Sequence, residues 1–344
     1  MASVEAVLVS KSIVEADPVR SFVVVSAPGK CREFPYKVTD LLIEAYAEMQ
    51  VNETSESLER VFARFRELSG SLGVDMELEI QRTYDDVLVN QRNYDFVVSR
   101  GEYLMALLFA RVINYKFVDA ANYIIINKNG MYHEKATCAK FLRCVSKGEK
   151  IVMGGFYGSN VDSGVKTFPR GGSDYSGAIV AACLRAEVYE IFTDTYGVQT
   201  ANPSVVKNTK SIHELDFNTM RKLSVGGASV IYPDCLLLLK SHSVPLKVYN
   251  TFDCLGSSTR IGCENVNSKY FCITYKFEQN INKDVVEVLC VFNKMNVSLA
   301  DLRKLLRGTE VYLVKLEKKS FTLIAPGSVL STVINMLHEY FVEF

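Results

Sequence analysis

Phe168–Gly197 (FPRGGSDYSGAIVAACLRAEVYEIFTDTYG) narrows the possible folds more than any other stretch of the chain. It reads as a glycine-rich turn over 169–174, a helix opened by Ser173, Asp174 or Ser176, a buried strand over Val188–Phe192, and a polar turn at Thr193-Asp194. Paired glycines let the backbone approach a ligand closely. The first N–H groups of the following helix have no internal partners and form a ready anion site. Arg170 adds a planar guanidinium fork suited to a carboxylate or phosphate. Asp174 adds a carboxylate that can hold an ammonium group or a metal ion. The same letters also describe an ordinary loop and helix cap, so the rest of the chain has to decide between the two.

Residues 1–16 form an amphipathic helix, with Val4, Leu8 and Ile13 on one side and Asp17-Pro18 ending it. Ser21–Ser26 (SFVVVS) is a continuous β-branched run, the pattern of a parallel strand buried on both faces. Ala27-Pro28-Gly29-Lys30 is then the turn at its carboxyl end, where open α/β sheets bind ligands. Lys37 to Ile113 reads as helical, with Leu58, Val61, Phe62, Phe65 and Leu68 on one buried face. Val74–Ile80 alternates but is assigned to helix by its neighbours, and Ser99-Arg100-Gly101-Glu102 is expected to open a helix over Tyr103–Tyr115. Strands at Phe117–Asn127, Lys150–Gly155, Val188–Phe192 and Leu246–Tyr249 alternate with helices, the rhythm of a parallel sheet covered on both faces.

Beyond the polar link Gly262–Ser268, the order is strand (Tyr270–Phe277), helix (Lys283–Met295), strands near Val311–Leu316 and Ser320–Ile324, and helix (Val329–Phe341). The expected fold class is therefore α/β: a three-layer sandwich with a mostly parallel central sheet over 1–262, in which 37–115 is a largely helical substrate-side lobe, followed by a small α+β domain over 269–344.

Lys plus Arg and Asp plus Glu each total 39, and that zero net charge argues against nucleic acid or an anionic membrane as the main partner. Apolar runs such as Cys235–Leu239 are too short to span a bilayer. Glu5 stands where a signal peptide would need a basic region and apolar core, so a cytoplasmic location is expected. The nine cysteines contain no C-x-x-C, and with four dispersed histidines they give neither a zinc spacing nor a Cys/His nucleophile pair. Reduced, buried thiols are expected, with Cys183 and Cys290 each inside a helix.

Five clusters fall at predicted strand ends or helix starts: Ser26–Lys30 with Lys37–Asp40, Ser99-x-Gly101-Glu102, Gly154-Gly155-Phe156-x-Gly158-Ser159, Arg170–Asp174, and Thr193-Asp194-x-x-Gly197-x-x-Thr200-Ala-Asn-Pro203. Any one of them is explained by capping, but five on one predicted sheet edge are not. In order and spacing, from about Val23 to Tyr249, they resemble the aspartokinases of the amino-acid kinase superfamily, with R-G-G-S-D-Y-S-G (170–177) the most specific match. S-x-G-E and V-D-A-A (Val118–Ala121) resemble aspartokinases rather than relatives acting on acetylglutamate, glutamate or nucleoside monophosphates. The 269–344 region resembles one ACT domain, with a ferredoxin-like fold.

The resemblance implies the amino-acid kinase fold and ATP-dependent phosphorylation of the L-aspartate side-chain carboxylate to 4-phospho-L-aspartate, the first step toward lysine, threonine and methionine. Arg170 would pair with a substrate carboxylate, Glu102 and Asp174 would receive its ammonium group, and Phe156 and Ser173 would shape the pocket. Ser26 and Thr39 would lie near the phosphates, Thr39 also touching substrate, while Thr193, Asp194, Gly197 and Ser229 would line the nucleotide site. Mg-ATP and L-aspartate are the implied partners, no residue is assigned to the protein as a metal ligand, and a homodimer through the C-terminal domain is implied.

The family's K-[FY]-G-G-[TS]-S segment, whose lysine reaches the transferred phosphate, is absent from the sequence as given. The expectation is either an active aspartokinase, or one whose start is placed too far downstream, or else a catalytically impaired kinase-like subunit that binds an amino acid and regulates or assembles with a partner, the missing cation being worth about 10²–10³ in rate. Lys30 or Lys37 could substitute in part, though both read as solvated loop lysines. Ser229, Gln199 and Asn202 stand where the family commonly has Lys, an aromatic and Asp. A superfamily kinase with another carboxylate substrate is a third reading.

Overall fold

Strand pairing in the first of two units, Met1–Ala186, starts from three parallel strands. The computed structural model describes residues 1–52, 54–127, 129–146, 148–160, 164–169, 171–277 and 284–342. Helix α1 (Val4–Ala16) is capped by the Ser3 hydroxyl, which accepts from the Ala6 N–H, and leads into β1 (Phe22–Val25). Four helices follow: α2 (Val38–Met49), α3 (Glu56–Ser71), α4 (Glu77–Val89) and α5 (Tyr94–Ile113). The predicted stripe Leu58, Val61, Phe62, Phe65 and Leu68 is fully buried with Leu41, Leu42, Leu104 and Phe109. At roughly 1.5–3 kcal/mol for each large apolar side chain, that cluster is the main force holding the helices on the sheet.

The unit continues with β2 (Lys116–Val118), α6 (Glu134–Cys144), β3 (Ile151–Gly154), the hairpin β4 (Tyr157–Asn160) and β5 (Gly164–Thr167), and α7 (Gly172–Cys183). The strand order is β1-β3-β2, all parallel, so the carboxyl ends Val25, Val118 and Gly154 share one edge. The strand buried throughout is β3, whereas β1 holds an outer place with only Val25 buried.

Three expectations for this unit are corrected. Ser99-Arg100-Gly101-Glu102 lies in the middle of α5, whose true cap is Asn93, its side chain accepting the Phe96 N–H. Gly101 is required by packing, because a Cβ there would come within 2.9 Å of both Ala27 and Val38. The strand expected over Phe117–Asn127 stops at Val118, where the Asp119 carboxylate accepts the Ala121 N–H and turns the chain into a short 3-10 helix. Helix α7 opens at Gly171, in the left-handed conformation, rather than at Ser173, Asp174 or Ser176.

The thiols are corrected too: Cys138 of α6 and Cys183 of α7, 45 positions apart in the sequence, are joined in a disulfide. Cross-linking a loop of that length restricts the unfolded chain, and reduction is expected to remove about 2–4 kcal/mol of stability. Thermal unfolding with and without a thiol reductant checks this, and Cys138→Ser should abolish the difference.

In the second unit, Glu187–Phe344, β6 (Tyr189–Thr193), β7 (Glu214–Leu215), α8 (Phe217–Val225), α9 (Pro233–Ser241), β8 (Leu246–Asn250) and β9 (Thr259–Ile261) build a mixed sheet ordered β6-β8-β9-β7. Then come β10 (Tyr270–Phe277), β11 (Val285–Asn293), α10 (Leu299–Leu305), β12 (Tyr312–Glu317), β13 (Ser320–Pro326) and α11 (Leu330–Val342), with an antiparallel sheet ordered β10-β11-β13-β12.

The helix expected over Lys283–Met295 is therefore the strand β11, and Cys290 lies in it. Its even-numbered residues Val286, Val288, Cys290 and Phe292 join the core formed with α10 and α11. On the other face, Leu289 and Thr274 lie against Gly226 at the end of α8. With both faces buried the strand loses its alternation, and an apolar run of that kind cannot be told from a helix by period. The run β11-α10-β12-β13-α11 supplies three strands, and β10 arrives from upstream to take the outer place beside β11, so no strand is needed after α11.

Candidate active site

Close backbone approaches bring four of the five sequence clusters together in the first unit. A Cβ on Gly154 would lie 2.9 Å from the carbonyl oxygen of Glu102, and one on Gly155 would lie 2.7 Å from Cα of Ser173. A Cβ on Gly172 would meet the Phe156 ring at 2.8 Å. The strand-end turn after β1, the start of α2, the middle of α5, the Gly155-Phe156 turn after β3 and the first turn of α7 therefore pack against one another. Ser26 follows β1 directly and is exposed, and Thr39 is the second residue of α2. Phe156 sits between β3 and β4 at φ 75°. Ser173 and Asp174 occupy the first turn of α7, whose N-cap residue Gly171 has no side chain to offer the leading N–H groups. Arg170 lies outside the described residues.

Glu102 is the unusual group. It is 4% exposed, the Ala27 backbone N–H is near enough to favour its ionised form, and its Oε2 is buried without a hydrogen-bond partner. Burial pushes its pKa up to about 8. An unpartnered buried oxygen costs about 1–3 kcal/mol, and Oε2 is left able to accept from an incoming donor. Asp174 is half-buried, and desolvation pushes it up to about 6. An acid raised in this way ionises more readily when a cation comes beside it. Among the described residues, no three His, Cys, Asp or Glu side chains gather as a metal site.

The remaining predicted positions lie in the second unit. Thr193 ends β6, and its hydroxyl donates to the carboxylate of the exposed Asp194 at 3.2 Å. Gly197 has φ 68°, and a Cβ there would meet the Thr259 hydroxyl at 2.4 Å. Ser229 is exposed between α8 and α9. Sequence reasoning missed Asn250, buried at the end of β8, whose side chain donates to the Asp194 carbonyl and accepts the Phe252 N–H. The signal was a lone Asn closing an alternating strand, LKVYN. It also missed that the Ser176 hydroxyl accepts the Phe156 N–H at 3.0 Å.

The sequence profile of the amino acid kinase family matches residues 6–250. Aspartokinase 3 of Bacillus subtilis is 32% identical over 300 residues, covering 79% of this chain and 66% of that protein. The aspartokinase of Rickettsia felis is 30% identical over 184 residues, covering 51% of this chain and 45% of its own length. The chain thus spans from under half to about two thirds of these relatives. The aspartate kinase of Clostridium acetobutylicum has the same fold, with a TM-score of 0.83 at 22% identity over 100% of this chain and 97% of that one. The structure of E. coli aspartokinase III in complex with aspartate and ADP gives 0.82 at 18% identity over 98% and 96%.

Proposed function

Because the chain belongs to the amino acid kinase family, we propose that it is an aspartate kinase, transferring the γ-phosphoryl group of ATP to the side-chain carboxylate of L-aspartate. The observation that carries this reading is the buried, unpartnered side-chain oxygen of Glu102, a residue whose backbone packs against Gly154 at the end of β3. An α-ammonium group is the donor that would satisfy it, with Asp174 as the second acid. The open first turn of α7 then faces the anionic part of the substrate, with Arg170 as the proposed carboxylate partner. Ser26 and Thr39 are assigned to the phosphates, and Thr193, Asp194, Gly197 and Ser229 to the nucleotide. Mg²⁺ would travel with ATP and neutralise phosphate charge.

The chemistry fits such a site. A carboxylate oxygen attacks the γ-phosphorus, the bond to the ADP oxygen breaks, and ADP and an acyl phosphate leave with no proton required. Catalysis is then positioning and charge stabilisation, which turns and helix starts can provide without a histidine base. The domain assignment 1–262 and 269–344, with the latter as an ACT-like module, belongs to the same reading, as does a cytoplasmic location. Among the described residues no helix is long and apolar enough to cross a membrane. Tyr312, Val314 and Leu316 are exposed on the outer strand β12, which supports a homodimer through that module.

Incubation with Mg-ATP and hydroxylamine, with L-aspartate, L-glutamate and N-acetylglutamate offered separately, tests the proposal. Hydroxamate formed with aspartate alone is the expected result. Product with another acid instead, or amino-acid binding without turnover, would overturn it.

A further inference from the structure

The V-D-A-A segment carries no contact in the substrate reading above, yet its Asp119 is tied to the pocket through one side chain. Tyr157 is fully buried, and its hydroxyl donates to Asp119 Oδ1 at 2.9 Å. The same oxygen accepts the Ala121 N–H at 3.0 Å, so the carboxylate is fixed by the 3-10 turn that follows β2. Across the Tyr157 ring lies the guanidinium of Arg100, 5.3 Å from its centroid and 4.3 and 4.6 Å from those of Phe96 and Tyr103. Arg100 is itself buried and is held by the Ser99 hydroxyl and the Phe96 carbonyl. Tyr157 is thereby gripped at its hydroxyl and on its face.

The residue before it is Phe156, at φ 75°, a conformation that costs a residue with a side chain on the order of 1 kcal/mol or more. Such a conformation persists only where the surroundings over-determine it. Here Phe156 donates to Ser176 Oγ, accepts from the Phe168 N–H at 2.8 Å, and is followed by a tyrosine that cannot move. The Phe156 ring in turn fills the space over Gly172, at the start of the helix that bears Ser173 and Asp174.

We propose that Asp119 is a positioning residue of the amino-acid pocket: it anchors Tyr157, and so holds Phe156 in the strained conformation that shapes the turn at Gly172–Asp174. Arg100 is the second anchor, on the ring face. This rests on the reading of that pocket as the amino-acid site. It also gives V-D-A-A a physical role that its spacing alone did not reveal.

Tyr157→Phe removes one hydroxyl and keeps the ring, so the variant is expected to fold. The KM for aspartate should rise about tenfold, while kcat and the KM for ATP stay within about twofold. Asp119→Ala should do the same, Asp119→Asn, which keeps an acceptor oxygen, should do so less, and the double variant Asp119→Ala/Tyr157→Phe should be no worse than either single one. A second readout needs no substrate: the amides of Phe156 and Phe168 should exchange with solvent about tenfold faster in Tyr157→Phe, with those of α2–α4 unchanged. Unchanged exchange would overturn the proposal even if the wild-type protein ignored aspartate. A parallel rise in both KM values would overturn it in an active enzyme. Failure of wild-type turnover with unaltered exchange differences would instead count only against the substrate reading.

Discussion

Glu102→Gln is expected to lower kcat/KM for aspartate by about 10²–10³ and, at the same time, to raise the melting temperature at pH 7–8. The loss follows from removing a carboxylate that meets a cation away from water, since truncating or neutralising one partner of a buried charged hydrogen bond costs about 3–4 kcal/mol. The gain follows from linkage. In the unfolded chain Glu102 ionises near its ordinary value of 4.5, whereas burial holds the folded carboxyl up to about 8. Between those pH values the folded state keeps a proton that the unfolded state has lost, so stability falls as pH rises through the window. At pH 7 that difference is worth ~3 kcal/mol against folding, and glutamine removes it. The stabilisation should vanish below pH 4.5, where both states are protonated. Calorimetric melting of wild type and variant at pH 4.5 and 8 measures it, and a variant that is less stable at both would sink the account. Aspartate affinity in the wild type should strengthen from pH 6 to pH 8, as Asp174 (about 6) and then Glu102 (about 8) ionise.

Gly227→Ala should cost about 4 kcal/mol or more, a large share of the whole stability of a domain. Gly227 has φ 109°, and a Cβ would stand 2.0 Å from the Tyr275 carbonyl oxygen in β10. Backbone cannot give way as a side-chain tip can, so overpacking and the strained φ both act. The neighbouring Gly226 is also closely approached, by the Leu289 and Thr274 side chains at 2.6 and 2.9 Å from its missing Cβ. Gly130→Ala is the control: its φ is 78°, yet nothing lies within 4 Å. Only backbone strain is lost there, about 1 kcal/mol. Urea unfolding of the two variants should separate them by about 3 kcal/mol, and equal midpoints would show that the β10 contact does not constrain the loop.

Glycine pairs and acids at strand ends were legible because they are local: Gly154-Gly155 and Gly171-Gly172 stand where two turns touch, and their letters say so. The helical stripe Leu58–Leu68 was legible because its period matches its burial. What sequence could not show is what neighbours do at a distance. Glu102 read as a first-turn residue because Ser-x-Gly-Glu mimics a cap, whereas α5 is buried on nearly every side and runs straight through it. Strand β11 read as helix because α8 covers the face that should have been polar. The hairpin β4–β5, around Gly-Ser-Asn and Gly-Val-Lys-Thr, has too little apolar alternation to announce itself. The Cys138–Cys183 link joins residues whose spacing carries no recognisable pattern.

The carbonyl of Thr200 accepts the Ile273 N–H of β10, and its hydroxyl meets the buried His338 ring of α11 at 2.8 Å. Together with the seat of Gly226 and Gly227 on β10 and β11, this makes the terminal sheet a wall against which the loops carrying Thr200 and Gly226-Gly227 are moulded. A protein shortened after Gly262 would keep those motifs in its sequence and lose their shape. In the aspartate kinase reading proposed above, the last eighty residues would thus be part of the scaffold of the nucleotide site.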